Sequence, residues 1–237
     1  KGLYYDLKLN SGNVTNKGYE MRLTNNKKIG DFNFNVTGNF SSIKNNVDEL
    51  STGSQVLEGS RGAFHGAPIT YSKVGYPIYS FFLVDTDGLF RSQAEIDAHT
   101  KNGTLIQPNA QVGDVRYVDY NGDGEINGED RQYKGSAFPK FEYGLRLQGD
   151  WKGIDCAIAL QGVEGNKIYN GNNQDIATVR SNINYSAATL DSYTFNPNSN
   201  FPRLDIDDKN NNGADYSDRF LEDGSYLWNS GMFVWKV

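Results

Sequence analysis

The chain has 237 residues, with 29 acidic and 23 basic side chains and a formal net charge of -6. This balance argues against a nucleic-acid-binding protein, because no excess of basic side chains is available to neutralise phosphates. Hydrophobic residues make up only 37% of the sequence and aromatic residues 13%. That combination is unusual for a packed soluble core.

Cys156 is the single cysteine, so an internal disulfide is excluded. No apolar run approaches the about 18–20 residues of a membrane-spanning helix. Lys1 opens directly on a strand-like pattern, without an initiator methionine or an apolar leader. We therefore expect that a signal peptide was removed or that the N-terminal part of a longer protein is missing.

Six segments are predicted as β-strands, because apolar and polar side chains alternate along most of them. In the second, Tyr19, Met21 and Leu23 alternate with Glu20 and Arg22. Most match the about 9–11 residues of a strand that crosses a bilayer, whereas soluble strands average about 5–6. The predicted strands are 3–9, 17–25, 31–41, 140–151, 154–163 and 226–235.

The connections between these strands alternate between short and long. Turns at 25–28 and 152–153 are short, whereas 42–139 and 164–225 are long. Outer-membrane barrels combine short periplasmic turns with long external loops, and compact soluble domains rarely carry unstructured loops longer than about 15 residues. The sequence therefore predicts an all-β fold: antiparallel strands of a partial transmembrane β-barrel with two long, partly structured extracellular loops.

The first long loop also contains a capping-box pattern. Ser92 is a candidate N-cap with Glu95 three residues later, which predicts a short helix over 92–99. The second long loop is rich in Asn, Asp, Ser and Tyr, which suits a polar external loop.

The segment 119–130 carries oxygen-bearing side chains at the spacing of a calcium loop, with glycine at its sixth position. The candidate ligands are Asp119, Asn121, Asp123, Asp130 and, through its backbone carbonyl, Glu125. Strand-like residues 115–118 precede the loop, so an EF-hand with flanking helices is excluded. If calcium binds, we expect a structural role. The alternative is a loop that uses its Asp and Asn side chains to hold its own backbone without metal.

No catalytic or cofactor-binding site is predicted, and the chain is not expected to be an enzyme. His65 and His99 are the only histidines, and neither has a second ligand at metal spacing. The sequence contains no nucleophile elbow and no preferred pair of carboxylates for glycosidase chemistry. Asp205, Asp207 and Asp208 beside the asparagines 210–212 could hold a cation, but a solvated loop is the simpler interpretation.

Several segments resemble, in order along nearly the whole chain, the SusC/RagA-like TonB-dependent receptors of Bacteroidetes outer membranes. The strongest match runs from Gly113 through Arg131 and on to Gly144. The other matching segments are 13–20, 74–81, 87–90, 202–204 and 221–227. In the first of these the glycine precedes Asn13 instead of following it.

The resemblance implies a 22-stranded outer-membrane barrel with an N-terminal plug, energised by the TonB complex through a part that this sequence lacks. It further implies a SusD-like surface lipoprotein as partner, contact with outer-membrane lipid, and an oligosaccharide or peptide ligand. After 225–227 the sequence departs from the family pattern. Our hypothesis for residues 228–237 is a frameshifted or pseudogene-derived end, and the alternative is an ordinary divergent strand.

The sequence leaves two functional hypotheses. The first is part of a TonB-dependent outer-membrane nutrient importer that takes up oligosaccharides or peptides. The second is a soluble, secreted, calcium-stabilised β-sandwich acting as a carbohydrate-binding or adhesion module. A barrel should turn an apolar band about 25 Å tall outwards, whereas a sandwich should bury that same face.

Overall fold

The structure is a computed structural model that describes residues 12–50, 56–59, 67–172, 174, 184–214 and 217–236, with the backbone alone for 226–236. The predicted strand 3–9 and His65 lie outside the described residues. The described part includes the α-helix α1 (Gln93–Ala98) and the 3-10 turns Gly128–Asp130, Ala187–Asp191 and Asp218–Phe220. Residues 171, 172 and 174 are also helical. Among these residues no helix is long and apolar enough to cross a bilayer.

Most of the described secondary structure is β-strand. In chain order the strands are β1 (Gly12–Ile29), β2 (Phe32–Leu50), β3 (Val56–Glu58), β4 (Thr70–Lys73), β5 (Ser80–Val84), β6 (Thr86–Leu89), β7 (Thr100–Lys101), β8 (Thr104–Leu105), β9 (Val115–Tyr117), β10 (Arg131–Gly135), β11 (Phe141–Trp151), β12 (Ile154–Glu164), β13 (Lys167–Tyr169), β14 (Leu221–Asp223) and β15 (Tyr226–Lys236). All the strand pairings within the sheets are antiparallel, so the fold is all-β as expected.

The long strands form one open sheet in the order β1-β2-β11-β12-β15. Cross-strand register places apolar side chains in rows on one face, for example Leu23 and Leu145, which lie on either side of Gly38. Leu23 is 66% exposed and Leu145 40% exposed, so this face is not covered by the rest of the chain. The opposite face is polar: Asn33 Nδ2 donates to Asp150 Oδ1 at 2.8 Å.

Both hairpins of this sheet turn on two residues. The first turn is Gly30 and Asp31, not 25–28 as the sequence suggested, because residues 25–28 pair with β2 and Gly30 supplies the positive φ (+62°) that a tight hairpin turn needs. The second turn lies at Lys152 and Gly153, as expected, and both residues have positive φ.

β1 and β2 are longer than the sequence pattern indicated. β2 continues to Leu50, nine residues past the predicted end at 41, because β1 residues 12–19 supply backbone partners for it. The side chains here are mostly polar, as at Lys44 and Asn45, so the alternation that marks the strand ends before the strand does. Residues 12–19 of β1 and 42–50 of β2 form the end of the sheet away from the two-residue turns, and we call them the upper hairpin. It extends beyond β11, whose last partner on β2 is Ser41.

The two long predicted loops form a folded body, which we call the loop unit: residues 56–59, 67–139, 184–214 and 217–223 with β13. Its main sheet has the order β10-β5-β4-β3. One buried cluster contains Val84, Leu89, Val115 and Tyr117, and another contains Ile69, Phe81 and Leu83. The loop unit attaches to the upper hairpin through backbone hydrogen bonds between Val47 and residues 75–76 at 2.9 Å.

Candidate functional site

The two halves of the loop unit are joined by a buried carboxylate. Asp114 is fully buried, and Arg203 Nε and Asn212 Nδ2 each donate to its Oδ1 at 2.9 Å. The Gln111 backbone N–H donates to Oδ2 at 2.8 Å. The carboxylate therefore has both a charged partner and neutral donors, which is the arrangement that makes a buried charge tolerable.

Amide side chains extend this network around β9. Asn210 and Gln107 both donate to the Val115 carbonyl at 2.9 Å, and the Tyr117 N–H donates to Gln107 Oε1 at 2.8 Å. Asn212 Oδ1 accepts from the Val115 N–H at 2.9 Å. The bonds of Asn210 and Asn212 hold the two chain segments in one register, since each loses its partner if the segments separate, whereas the bonds of Gln107 lie within the first segment.

The cation-binding interpretation of 205–212 gains no support from this geometry, and the solvated-loop interpretation is wrong for Asn210 and Asn212, although Asn211 is exposed. Asn210 and Asn212 are buried, and Asp205 Oδ2 accepts from Arg203 Nη2 at 3.0 Å. Burial alone would raise the pKa of Asp205, but hydrogen bonds from Arg203 and the Asp207 N–H lower it below its ordinary value. Sequence reasoning missed Asp114 and Arg203, although both lie in segments that carry the family resemblance.

An ion-pair group forms a second link between the halves. Lys134 on β10 pairs with Asp85 and lies 3.3 Å from Asp218 Oδ2. Asp218 Oδ1 also accepts from the Thr86 N–H at 3.1 Å and the Thr86 hydroxyl at 2.8 Å. The three charged side chains are partly shielded from solvent, so this group adds to the connection made by Asp114.

In the acidic loop 119–130, Asp119 holds the backbone of the turn. Its Oδ1 accepts from the Gly122 N–H at 2.7 Å and its Oδ2 from the Gly124 N–H at 2.9 Å. Both glycines have positive φ, +72° and +95°. Ile126 packs against the buried cluster around Val115 and anchors the loop.

The other predicted ligands also make hydrogen bonds within the loop. Asp130 is fully buried and accepts from the N–H groups of Tyr120 and Asn127, both at 2.8 Å. Hydrogen bonds from Asn121 Nδ2 and then the Glu125 N–H lower the pKa of the exposed Asp123. The structure thus brings the candidate ligands into one loop, where they hold its backbone. Among the described residues no group of three His, Cys, Asp or Glu side chains has metal-binding geometry, and calcium stays a prediction.

Two cavities lie along the long sheet. One of about 840 Å³ lies against its polar face near the hairpin turns, with Asn35, Arg146 and Asp150 in its wall. The other, about 680 Å³, lies between the upper ends of β2 and β11 and the loop unit. We call it the junction cavity. Sequence reasoning did not find it, because its walls come from four separate parts of the chain.

Comparison with known proteins identifies relatives of this chain in sequence and in structure. No family model matches the sequence. Two TonB-dependent receptors of Formosa agariphila are 32% identical over 220 residues and 26% identical over 222 residues. Each match covers 92% of this chain and 21% of the relative, so the chain spans about a fifth of the length of these receptors.

Solved structures of the RagAB peptide transporter share the fold. One superposes with a TM-score of 0.64 at 17% identity, covering 92% of this chain and 22% of that chain. The "closed-closed" state of the RagAB peptide importer gives a TM-score of 0.66 at 17% identity, covering 94% of this chain and 23% of that chain. The order of motifs, the open antiparallel sheet and these relatives agree: over nearly its whole length the chain is similar to a part of TonB-dependent receptors, and it shares its fold with RagAB.

Proposed function

We propose that this chain forms part of the wall and the external loops of a TonB-dependent outer-membrane nutrient importer. The observation that carries the proposal is the long sheet with one uncovered apolar face and one polar face. Homology to TonB-dependent receptors supports the same assignment. In this arrangement the apolar face contacts outer-membrane lipid and the polar face lines the lumen.

The dimensions of the apolar face support a membrane location. Phe141 and Trp151 are the end residues of the outward row on β11, which has 11 residues. At about 3.4 Å per residue the row spans about 34 Å. A tilt of about 40° reduces this to about 26 Å along the membrane normal, close to the about 25 Å of an outer-membrane apolar band.

The exposed apolar side chains also disfavour the soluble sandwich. A sandwich packs a second sheet against its apolar face, yet Met21, Leu23 and Trp151 are at least half exposed here. The loop unit instead packs at the end of the sheet that carries the upper hairpin. We therefore assign the loop unit to the external mouth, with the two-residue turns on the periplasmic side.

The partners and ligand in this proposal are those of a complete importer. A SusD-like lipoprotein would cap the mouth, the TonB complex would supply energy through a plug, and the ligand would be an oligosaccharide or a peptide. RagAB, which shares the fold, is a peptide transporter. The lumen-facing rows, such as Thr24 opposite Thr37, offer polar contacts along the route.

The test is ligand uptake by cells that express the full-length receptor. Fluorescent oligosaccharides and peptides are supplied to these cells, to a receptor deletion strain and to a strain without TonB. The proposal expects uptake of at least one ligand that needs both the receptor and TonB. Recovery of the full-length receptor in the soluble periplasmic or secreted fraction, without detergent, would overturn it.

A further inference from the structure

The junction cavity has an unusual charge for this chain. The protein carries a net charge of -6, yet the lining of the cavity contains four lysines, Lys44, Lys134, Lys140 and Lys167, and no Asp or Glu among the described residues. Lys134 is neutralised by Asp85 and Asp218. The other three make no ion pair within 4.0 Å in the described part of the chain, so their charges are available to a ligand.

Two of these lysines are positioned by glycines. A Cβ on Gly165 would lie 2.8 Å from Lys140 Cγ, and a Cβ on Gly135 would lie 2.8 Å from Lys167 Cγ. The aliphatic parts of both lysines therefore lie directly on glycine backbone, where a larger residue would displace them. The backbone fixes the same region, because the Lys140 N–H donates to Glu164 O at 2.8 Å and the Lys167 N–H to Ser136 O at 2.7 Å.

Aromatic rings form another part of the wall. Tyr76 and Tyr133 pack with their ring planes tilted by 43° and their ring centroids 5.0 Å apart, and Phe138 completes the aromatic surface. Tyr133 is 41% exposed and Phe138 47% exposed. An exposed aromatic ring beside lysines suits a sugar that carries an anionic group. The aromatic ring packs on the C–H groups of the sugar face, while the lysines bind the anionic charge.

Two carboxylates beside this cavity form no ion pair within 4.0 Å with its lysines among the described residues. Glu142 lines an adjoining cavity of about 310 Å³ that shares Phe138 and Lys140 with the junction cavity. Asp223 lies opposite Lys167 in the β13–β14 pair. Its carboxylate accepts hydrogen bonds from the Ser225 hydroxyl at 2.8 Å and the Ser225 N–H at 3.0 Å. These hydrogen bonds from Ser225, and to a smaller extent the charge of Lys167, lower the pKa of Asp223, but the two side chains form no ion pair within 4.0 Å.

We propose that the junction cavity binds an acidic oligosaccharide through Lys44, Lys140 and Lys167, with Tyr76, Tyr133 and Phe138 contacting its rings. The anionic group is a carboxylate or a sulfate. This inference rests on the proposed importer function and names its substrate class. Lysines are compact point charges without the fixed fork of arginine, which suits sulfates and carboxylates at varied angles along a sugar chain.

The experiment measures binding to the full-length receptor in detergent by calorimetry. The probes are tetragalacturonate, a sulfated carrageenan tetrasaccharide, a neutral galactan tetrasaccharide and tetraglutamate. The test variant is Lys140→Gln with Lys167→Gln, and Lys140→Arg with Lys167→Arg keeps both charges. The matched control, Lys152→Gln with Lys209→Gln, removes two exposed lysines outside the cavity.

The proposal expects an acidic tetrasaccharide to bind more tightly than the neutral one and to weaken in high salt. The Gln variant should lose about tenfold in affinity, whereas the Arg variant and the control should stay within about twofold. A preference for tetragalacturonate or for the sulfated probe identifies the anionic group. Equal binding of neutral and acidic sugars, an unchanged Gln variant, or tighter binding of tetraglutamate would each overturn the proposal.

Uptake separates this inference from the importer function. TonB-dependent uptake of a neutral sugar or a peptide, without binding or uptake of either acidic tetrasaccharide, would leave the importer standing and overturn the acidic-sugar site. Binding of the acidic probe without TonB-dependent uptake of any probe would leave the site standing and count against the importer.

Discussion

Replacing Arg203 by alanine should lower the free energy of local opening of the loop unit. Arg203 donates to the fully buried Asp114 through Nε at 2.9 Å and Nη2 at 3.3 Å. Its removal leaves a buried carboxylate with neutral donors only, from Asn212 and the Gln111 N–H. The cost arises because a buried, desolvated carboxylate loses its counter-charge.

The magnitude follows from the burial of the pair. Removing one partner of a buried ion pair costs about 3–5 kcal/mol. The Arg203 side chain is 21% exposed whereas Asp114 is 0% exposed, so water partly compensates and we expect the lower end of that range, about 3 kcal/mol. This corresponds to roughly a 150-fold increase in the equilibrium constant for local opening.

Hydrogen exchange on the full-length receptor measures this opening. The informative amides are those of Val115 and Tyr117, which donate to Asn212 and Gln107 inside the buried network. Both should exchange about two orders of magnitude faster in Arg203→Ala. The control is Asp207→Asn, whose exposed carboxylate lies 3.9 Å from Lys209 and should change little. Equal exchange at both amides in Arg203→Ala and the parent would refute the reasoning.

Three further predictions concern metal, pH and lipid. Calcium at about 100 times its dissociation constant should stabilise the loop unit by about 2.7 kcal/mol, and Asp123→Asn should abolish the effect. Burial and then Arg116 lower the pKa of His99. The loop unit should therefore lose stability as pH falls through about 6.5, because the opened state binds the extra proton. Leu147→Arg, on the apolar face, should destabilise the receptor in vesicles by about 2–4 kcal/mol.

Each of these predictions has its own control. An unchanged melting temperature on adding calcium and then a chelator would leave the loop 119–130 as a self-bonded turn without metal. His99→Gln should remove the pH dependence between about 7 and 5.5, and a slope that persists there would assign it to other groups. Gln148→Arg points to the opposite face of the same strand, so a cost equal to that of Leu147→Arg would contradict the assignment of faces.

Most strands of the long sheet could be predicted from the sequence, because the alternation of apolar and polar side chains that marks a strand is a local pattern. On β11, Leu145 and Leu147 alternate with Arg146 and Gln148, and the same period continues on β12 across the turn at Lys152 and Gly153. Where side chains stop alternating, as beyond Phe40 on β2, the sequence could not show that the strand continues. There the partner strand decides the length, and pairing is a property of two segments together.

The loop unit could not be predicted because its partners are distant in sequence. Asp114 and Arg203 are 89 residues apart, and Asn212 contacts Asp114 across 98 residues. A run such as Asn210 to Asn212 has the composition of a solvated loop, and only its distant partners allow its burial. The junction cavity is similar, since Lys44, Tyr76 and Lys167 come together only after several elements have assembled.

The separation of these partners also sets an order of events in folding. The hairpins β1–β2 and β11–β12 close on two-residue turns, so they need little chain to be in place and should form early. Asp114 cannot bind Arg203 until both hairpins and the chain beyond them have been exported to the periplasm. During that interval the unassembled external segments expose apolar side chains such as Val84 and Phe220. A newly exported receptor should therefore depend on periplasmic chaperones for these segments as well as for the uncovered apolar face of its long sheet.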